Sequence, residues 1–219
     1  MAKPTALPIA AQTAAPTTLP AVVLGSSSRY RTALLKRILP HFDTASPNLD
    51  ETPIAGESAA DTALRLAQQK CKKIAPEYPS HITIGSDQVA ALNTPSGFVD
   101  EHLNKPGDFD NAFSQLKKCI GNSVTYHTAC CLIHHSLEKE ILFIDQYTLH
   151  FRDNISDQQL SDYLRREKPF DCAGSIKAEA LGIALIAAHE GSDPSTLMGL
   201  PLIKLIDALS QFGLEILAD

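Results

Sequence analysis

A chain of 219 residues with 44% hydrophobic content is long enough for one domain, or two lobes sharing a cleft, around an ordinary core. A formal net charge of −6 without a long basic run excludes a broad nucleic-acid surface, which needs clustered Lys and Arg, and leaves any phosphate ligand to a local basic pocket. Five cysteines without a CxxC pair, and no run of roughly 18 apolar residues, exclude a disulfide framework, a zinc site and a membrane span.

The thiols therefore read as reduced and mostly buried, in a cytoplasmic protein. Residues 1–20 begin with a stretch rich in Ala, Pro and Thr that lacks the apolar core of a signal peptide. A flexible N-terminal extension is expected there, with the folded domain over 21–219. Ala21-Val22-Val23-Leu24 reads as the first strand. Gly25-Ser26-Ser27-Ser28 follows and leads into a helical pattern that runs to about Leu39 and stops at Pro40. A Gly/Ser turn from strand to helix leaves backbone N–H groups free for an anion, and Arg29 and Arg31 add charge beside it. Asp50-Glu51, in the loop before Pro53, are either solvated or oxygen ligands for a cation such as Mg²⁺ or Mn²⁺.

An amphipathic helix is expected from Ser58 to about Ile74, with Lys70 on the edge of its apolar stripe. A lysine there either extends past the stripe to water, the commoner case, or points into a cavity holding an anion. His81-Ile82-Thr83-Ile84-Gly85 reads as a half-buried strand with Asp87 where it emerges. A carboxylate there can cap a turn, hold a metal or accept a proton from water. A turn over Thr94-Pro95-Ser96-Gly97, a corner at Asn104-Lys105-Pro106-Gly107 and a helix to Ile120 follow. Strands are expected over 124–133 and from Ile141 to Arg152, where Phe143, Asp145, Tyr147, Leu149 and Phe151 share one phase. Ser156-Asp157-Gln158-Gln159 starts a helix ending near Glu167. Residues 172–179 form a small-residue loop carrying Lys177 and Glu179, Leu181 to Ala188 reads as a buried strand, and a last helix begins at Pro201 and stops at Gly213.

The order of Ser26-x-Ser28-x-x-Arg31, Asp50-Glu51, Leu66-Ala67-x-x-Lys70, Gly85-Ser86-Asp87-Gln88 and Asn104-Lys105-Pro106 resembles the Maf family of nucleoside triphosphate pyrophosphatases. Cys172-Ala173-Gly174-Ser175-Ile176-Lys177-Ala178-Glu179 and Gly199-Leu200-Pro201-Leu202-Ile203 look like its YceF-type branch. The resemblance implies an α/β, inosine-triphosphate-pyrophosphatase-like fold, with a mixed twisted sheet flanked by helices and two lobes around a central cleft. It implies hydrolysis of 7-methyl-GTP to the monophosphate and diphosphate with a divalent cation (Mg²⁺, Mn²⁺ or Co²⁺), and a homodimer is one assembly it allows. A dTTP/UTP pyrophosphatase, or a nucleotide-binding regulator of cell division without turnover, are the alternatives. By position, Asp87 matches the family's proton acceptor, and Glu51 with Asp87 its metal-holding acids. Ser26, Arg31, Lys70 and Lys105 match its phosphate-binding residues, and Tyr30, Gln88 and Glu179 the positions that choose the base. The chain departs from the family pattern at Arg29, where Pro is common, at Thr32, where Arg is common, and at Tyr30, where the YceF-type branch carries Trp.

Overall fold

The structure, a computed structural model, describes residues 20–94 and 97–217. Residues 1–19 of the expected extension, and Pro95-Ser96 of the expected turn, lie outside the described residues. The fold is α/β, built on a seven-stranded mixed sheet. Its strands are β1 (Val22–Gly25), β2 (Asp43–Ala45), β3 (Ile82–Thr94), β4 (Gly97–Leu103), β5 (Ser123–His134), β6 (Lys139–Phe151) and β7 (Ile186–Glu190). They lie in the order β2-β1-β3-β5-β6-β7, with β4 paired to β3. β1 is parallel to β2 and β3, and the remaining pairs are antiparallel. The helices are α1 (Arg29–Leu35), α2 (Ala59–Ile74), α3 (Phe109–Cys119), α4 (Asp157–Glu167), α5 (Pro194–Leu197) and α6 (Leu202–Ser210).

The long strands β3, β5 and β6 carry two cores, one at each end. Ile82, Ile84, Cys130 and Leu132 pack with Leu34 and Leu35 of α1 and Leu205 and Leu209 of α6. Further along the same strands, Leu92, Tyr126 and Leu149 pack with Leu116 of α3 and Leu160 and Leu164 of α4. Two lobes thus share one sheet, and the middle of β3 falls between them. β5 is buried almost throughout because both of its faces are covered: α2 meets Cys131, and α6 meets the face of Cys130.

Three expectations change. Asp87 is not at a strand end, because β3 runs on to Thr94; what stops at Gly85 is the pairing with β1. The buried strand expected from Leu181 is a 3-10 turn over Leu181–Leu185, and β7 begins only at Ile186 and is mostly exposed. Gly182 forces that turn: its N–H bonds the Lys177 carbonyl at 3.0 Å, and a Cβ would lie 2.5 Å from that oxygen. β2 was not foreseen, being three polar or small residues too short to show a period. The capping box at Ser156 is present as expected, with Gln159 bonding the Ser156 backbone N–H at 2.9 Å. Among the described residues no helix is long and apolar enough to cross a membrane.

α2 starts at its N-cap Ser58, whose hydroxyl accepts the Asp61 N–H at 3.1 Å. It lies directly on β3 because Gly85 has no side chain. A Cβ there would stand 2.5 Å from the Ala67 carbonyl and 2.6 Å from the Cys71 nitrogen. Gly85→Ala is therefore expected to lift α2 from the sheet and cost about 1–3 kcal/mol, read as a lowered thermal midpoint of the purified protein.

Candidate active site

One edge of β3 pairs with β1 up to Gly85 and with β4 from Ala90, while β5 covers the other edge from Ile82 to Asn93. Residues 86–89 are the interval between those two partners, and a cleft of about 660 Å³ opens there. Successive strand residues face opposite ways. Asp87 turns towards α2 and Gln88 towards α5, so one short stretch meets the cleft with both faces of the sheet.

Lys70 does not extend to water. It is 4% exposed, and its Nζ reaches Asp87 Oδ1 at 2.5 Å and Glu51 Oε1 at 2.7 Å. A buried ammonium is tolerated here because two carboxylates neutralise it and share its protons. The Glu51 carboxyl is held below its usual range: partial burial opposes ionisation, but the Lys70 hydrogen bond and the charges of Lys70, Lys105 and Arg31 outweigh it.

Glu51 arrives on a loop that α2 itself fastens. Arg65 holds the Glu57 carboxylate through Nε at 2.6 Å and Nη2 at 2.7 Å, and Thr62 Oγ1 adds a bond at 2.9 Å. Lys73 Nζ donates to the Asn48 carbonyl one turn after Lys70. Arg65 is the first of the causes that draw the Glu57 carboxyl down to about 2, against the opposing effect of burial.

Across the cleft, Ser26 Oγ accepts the Ser28 N–H at 3.1 Å and Arg31 Nη1 at 3.5 Å. Arg31 Nε and Ser86 Oγ both donate to the Gly199 carbonyl, at 2.8 and 3.0 Å. Lys105 stands just beyond the end of β4 and lines the same space, as does Glu179 on the loop opposite. Gln88 Nε2 donates to Thr128 Oγ1 and to the Thr196 and Leu197 carbonyls. All nine residues singled out in the sequence, Ser26, Tyr30, Arg31, Glu51, Lys70, Asp87, Gln88, Lys105 and Glu179, line this one cleft. Lys177 does not: its Nζ bonds the Glu167 carbonyl at 2.9 Å, closing the C-terminus of α4.

The Maf-like protein family model matches residues 21–212. This chain belongs to the Maf family. It is 45% identical over 199 residues, 91% of this chain and 100% of its relative, to a protein of Methylobacillus flagellatus named 7-methyl-GTP pyrophosphatase. It is 46% identical over 197 residues, 90% of this chain and 95% of the other, to a protein of the same name from Cupriavidus metallidurans. Among solved structures, the Staphylococcus aureus Ham1 protein is similar over 60% of this chain and 72% of that one, with TM-score 0.41 and 16% identity.

Two of the three departures of this Maf-family chain on α1, Arg29 and Thr32, have local partners. Arg29 pairs with Asp171 at 2.9 Å and lies 5.0 Å from the Tyr30 ring centroid, while Thr32 turns its hydroxyl back to the Ser28 carbonyl at 3.1 Å. Arg31 is thus the α1 arginine that reaches Ser26 and Gly199. Burial of Tyr30 raises its phenol, with the Arg29 hydrogen bond opposing, so its ring meets the cleft neutral. The sequence marks Gly199 to Ile203 only as a branch motif and gives the segment 193–204 no role in the cleft, where its carbonyls at 196, 197 and 199 accept from Arg31, Ser86 and Gln88. The signal was Asp145, an acid in the apolar phase of β6.

Glu57 ionises far below the ordinary 4.5 when folded, so its stabilisation is complete above that pH and is lost as pH falls from 4.5 towards 2. Glu57→Gln is expected to flatten the stability profile in that window, as measured by urea unfolding at a series of pH values. Lys70→Met leaves Asp87 buried without its counter-charge. It is expected to cost about 3 kcal/mol at neutral pH, in the same unfolding assay.

Proposed function

We propose that this cleft hydrolyses a nucleoside triphosphate to its monophosphate and diphosphate, with 7-methyl-GTP as preferred substrate. The observation that carries the reading is the Asp87 carboxylate, in the open interval of β3 and ion-paired with Lys70 2.5 Å away, facing a cleft that Arg31 and Lys105 also line. The names borne by the relatives from M. flagellatus and C. metallidurans support the substrate.

A triphosphate brings roughly four negative charges, and Arg31, Lys70 and Lys105 offset them from different sides. Ser26 adds a hydroxyl donor. Asp87 orients a water and accepts its proton as the oxygen attacks the α-phosphorus. The bond to the bridging oxygen breaks, and diphosphate leaves with its charge already balanced by the lysines. The donor set suits a hard divalent cation, because Glu51 and Asp87, the two carboxylates that share Lys70 Nζ, both border the cleft and Glu51 stays ionised. Among the described residues no cluster of three or more His, Cys, Asp or Glu could hold a metal, so phosphate oxygens and water would complete the cation's shell. When bound, Mg²⁺, Mn²⁺ or Co²⁺ would draw charge from the phosphate oxygens.

The base is read by acceptors. Glu179 offers its carboxylate to the N–H edge of guanine, and the Tyr30 face suits a planar ring that carries positive charge after methylation. The buried thiols of Cys71, Cys119, Cys130 and Cys131 support a reducing, cytoplasmic setting.

Diphosphate release across 7-methyl-GTP, GTP, dTTP, UTP and ATP tests the reading. The fastest turnover is expected on 7-methyl-GTP, and Asp87→Asn is expected to lower it by about 10²–10⁴. Highest turnover on dTTP or UTP would replace the substrate, and tight nucleotide binding with no diphosphate release would leave a regulator in its place.

A further inference from the structure

Gln88 has a choice that Asp87 does not. A primary amide carries two donors at one end and an acceptor at the other, so the way it is turned decides which base edge it can read. Here the turn is fixed. Nε2 lies 2.9 Å from Thr128 Oγ1, 2.8 Å from the Thr196 carbonyl and 3.1 Å from the Leu197 carbonyl. The reverse orientation would set the amide oxygen against two carbonyl oxygens. With its donors engaged inside the protein, the amide of this cleft-lining residue keeps only its acceptor oxygen for a ligand.

The carbonyls that impose this belong to α5, and α5 is held from behind. Thr196 is fully buried, and its Oγ1 donates to Asp145 Oδ2 on β6 at 2.6 Å. Asp145, 8% exposed, is balanced by Lys204 Nζ at 2.7 Å from its other oxygen. The Thr196 carbonyl also accepts Thr128 Oγ1 at 2.8 Å, so strand and turn are tied at the point where Gln88 is read. Asp193 fixes the start of the same segment, taking the Ser195 and Ile203 N–H groups, each at 2.8 Å.

We infer that Asp145, acting through Thr196, is a positioning residue for base selection. It holds α5 so that Gln88 can present only an acceptor, which together with the acceptor-only Glu179 favours bases with adjacent N–H donors, as in guanine, over adenine, whose ring nitrogen is an acceptor there. This rests on the nucleotide reading of the cleft. Neither Asp145 nor Thr196 touches the substrate.

Thr196→Val keeps the shape and removes the bond to Asp145, while Thr196→Ser keeps the hydroxyl. In diphosphate-release kinetics with GTP and ATP, Thr196→Val is expected to reduce the GTP/ATP ratio of kcat/KM about tenfold, the scale of one lost hydrogen bond. The loss should fall on the KM for GTP with kcat within about twofold, and Thr196→Ser should restore the ratio. A folded Thr196→Val protein with an unchanged ratio, or with kcat lowered equally for both nucleotides, overturns the inference. The wild-type protein supplies a measurement that needs neither turnover nor a stable variant. Solvent exchange of the Gln88 side-chain amide protons by NMR is expected to be at least about tenfold slower than for an exposed glutamine. Exchange at the exposed rate overturns the inference, whereas absence of diphosphate release with slow exchange would count against the nucleotide reading alone.

Discussion

A single ammonium between two carboxylates sets the character of the cleft. Lys70 can be buried only because Asp87 lies beneath it on β3 and Glu51 closes over it from the loop. Each carboxylate in turn finds its counter-charge in the ammonium they share. The same three groups would respond together to an arriving polyanion, since a phosphate competes for the lysine and thereby frees carboxylate oxygens. The requirement reaches back into the backbone. α2 must ride directly on the strand for Lys70 to arrive, and the missing side chain at Gly85 permits that approach.

The opposite wall is built differently. There the charged and polar side chains Arg31, Ser86 and Gln88 are aimed by backbone carbonyls of residues 196, 197 and 199. Buried acids that never face the cleft hold those carbonyls in place. Such a wall is rigid because each polar atom is satisfied by a neighbour that is itself satisfied.

Much of the molecule could be read from the chain. The period of α2, the caps at Ser58 and Ser156 and the apolar run of β5 are local signals, and local physics honours them. The site residues were legible through a family pattern that fixes their order, and the cleft gathers all nine. What escaped depends on partners far along the chain. Asp87 reads as a strand end because the pairing with β1, not the strand itself, stops at Gly85. Helix spacing alone leaves Lys70 free to reach water or a cavity, because the carboxylates that decide between them lie 17 and 19 positions away. Lys177 and Glu179 share one small-residue loop in the sequence, yet Glu179 lines the cleft and the lysine turns to the end of α4. The turn at Gly182 is set by contact with a carbonyl, which hydropathy does not record.

The two cores hang on the same three long strands. Among the described residues no linker lies between the lobes, and each carries part of β3, β5 and β6. Opening or narrowing the mouth therefore means flexing a hydrogen-bonded ribbon rather than swinging about a hinge. Cutting the chain to isolate one half would strand unfinished β-structure in both pieces.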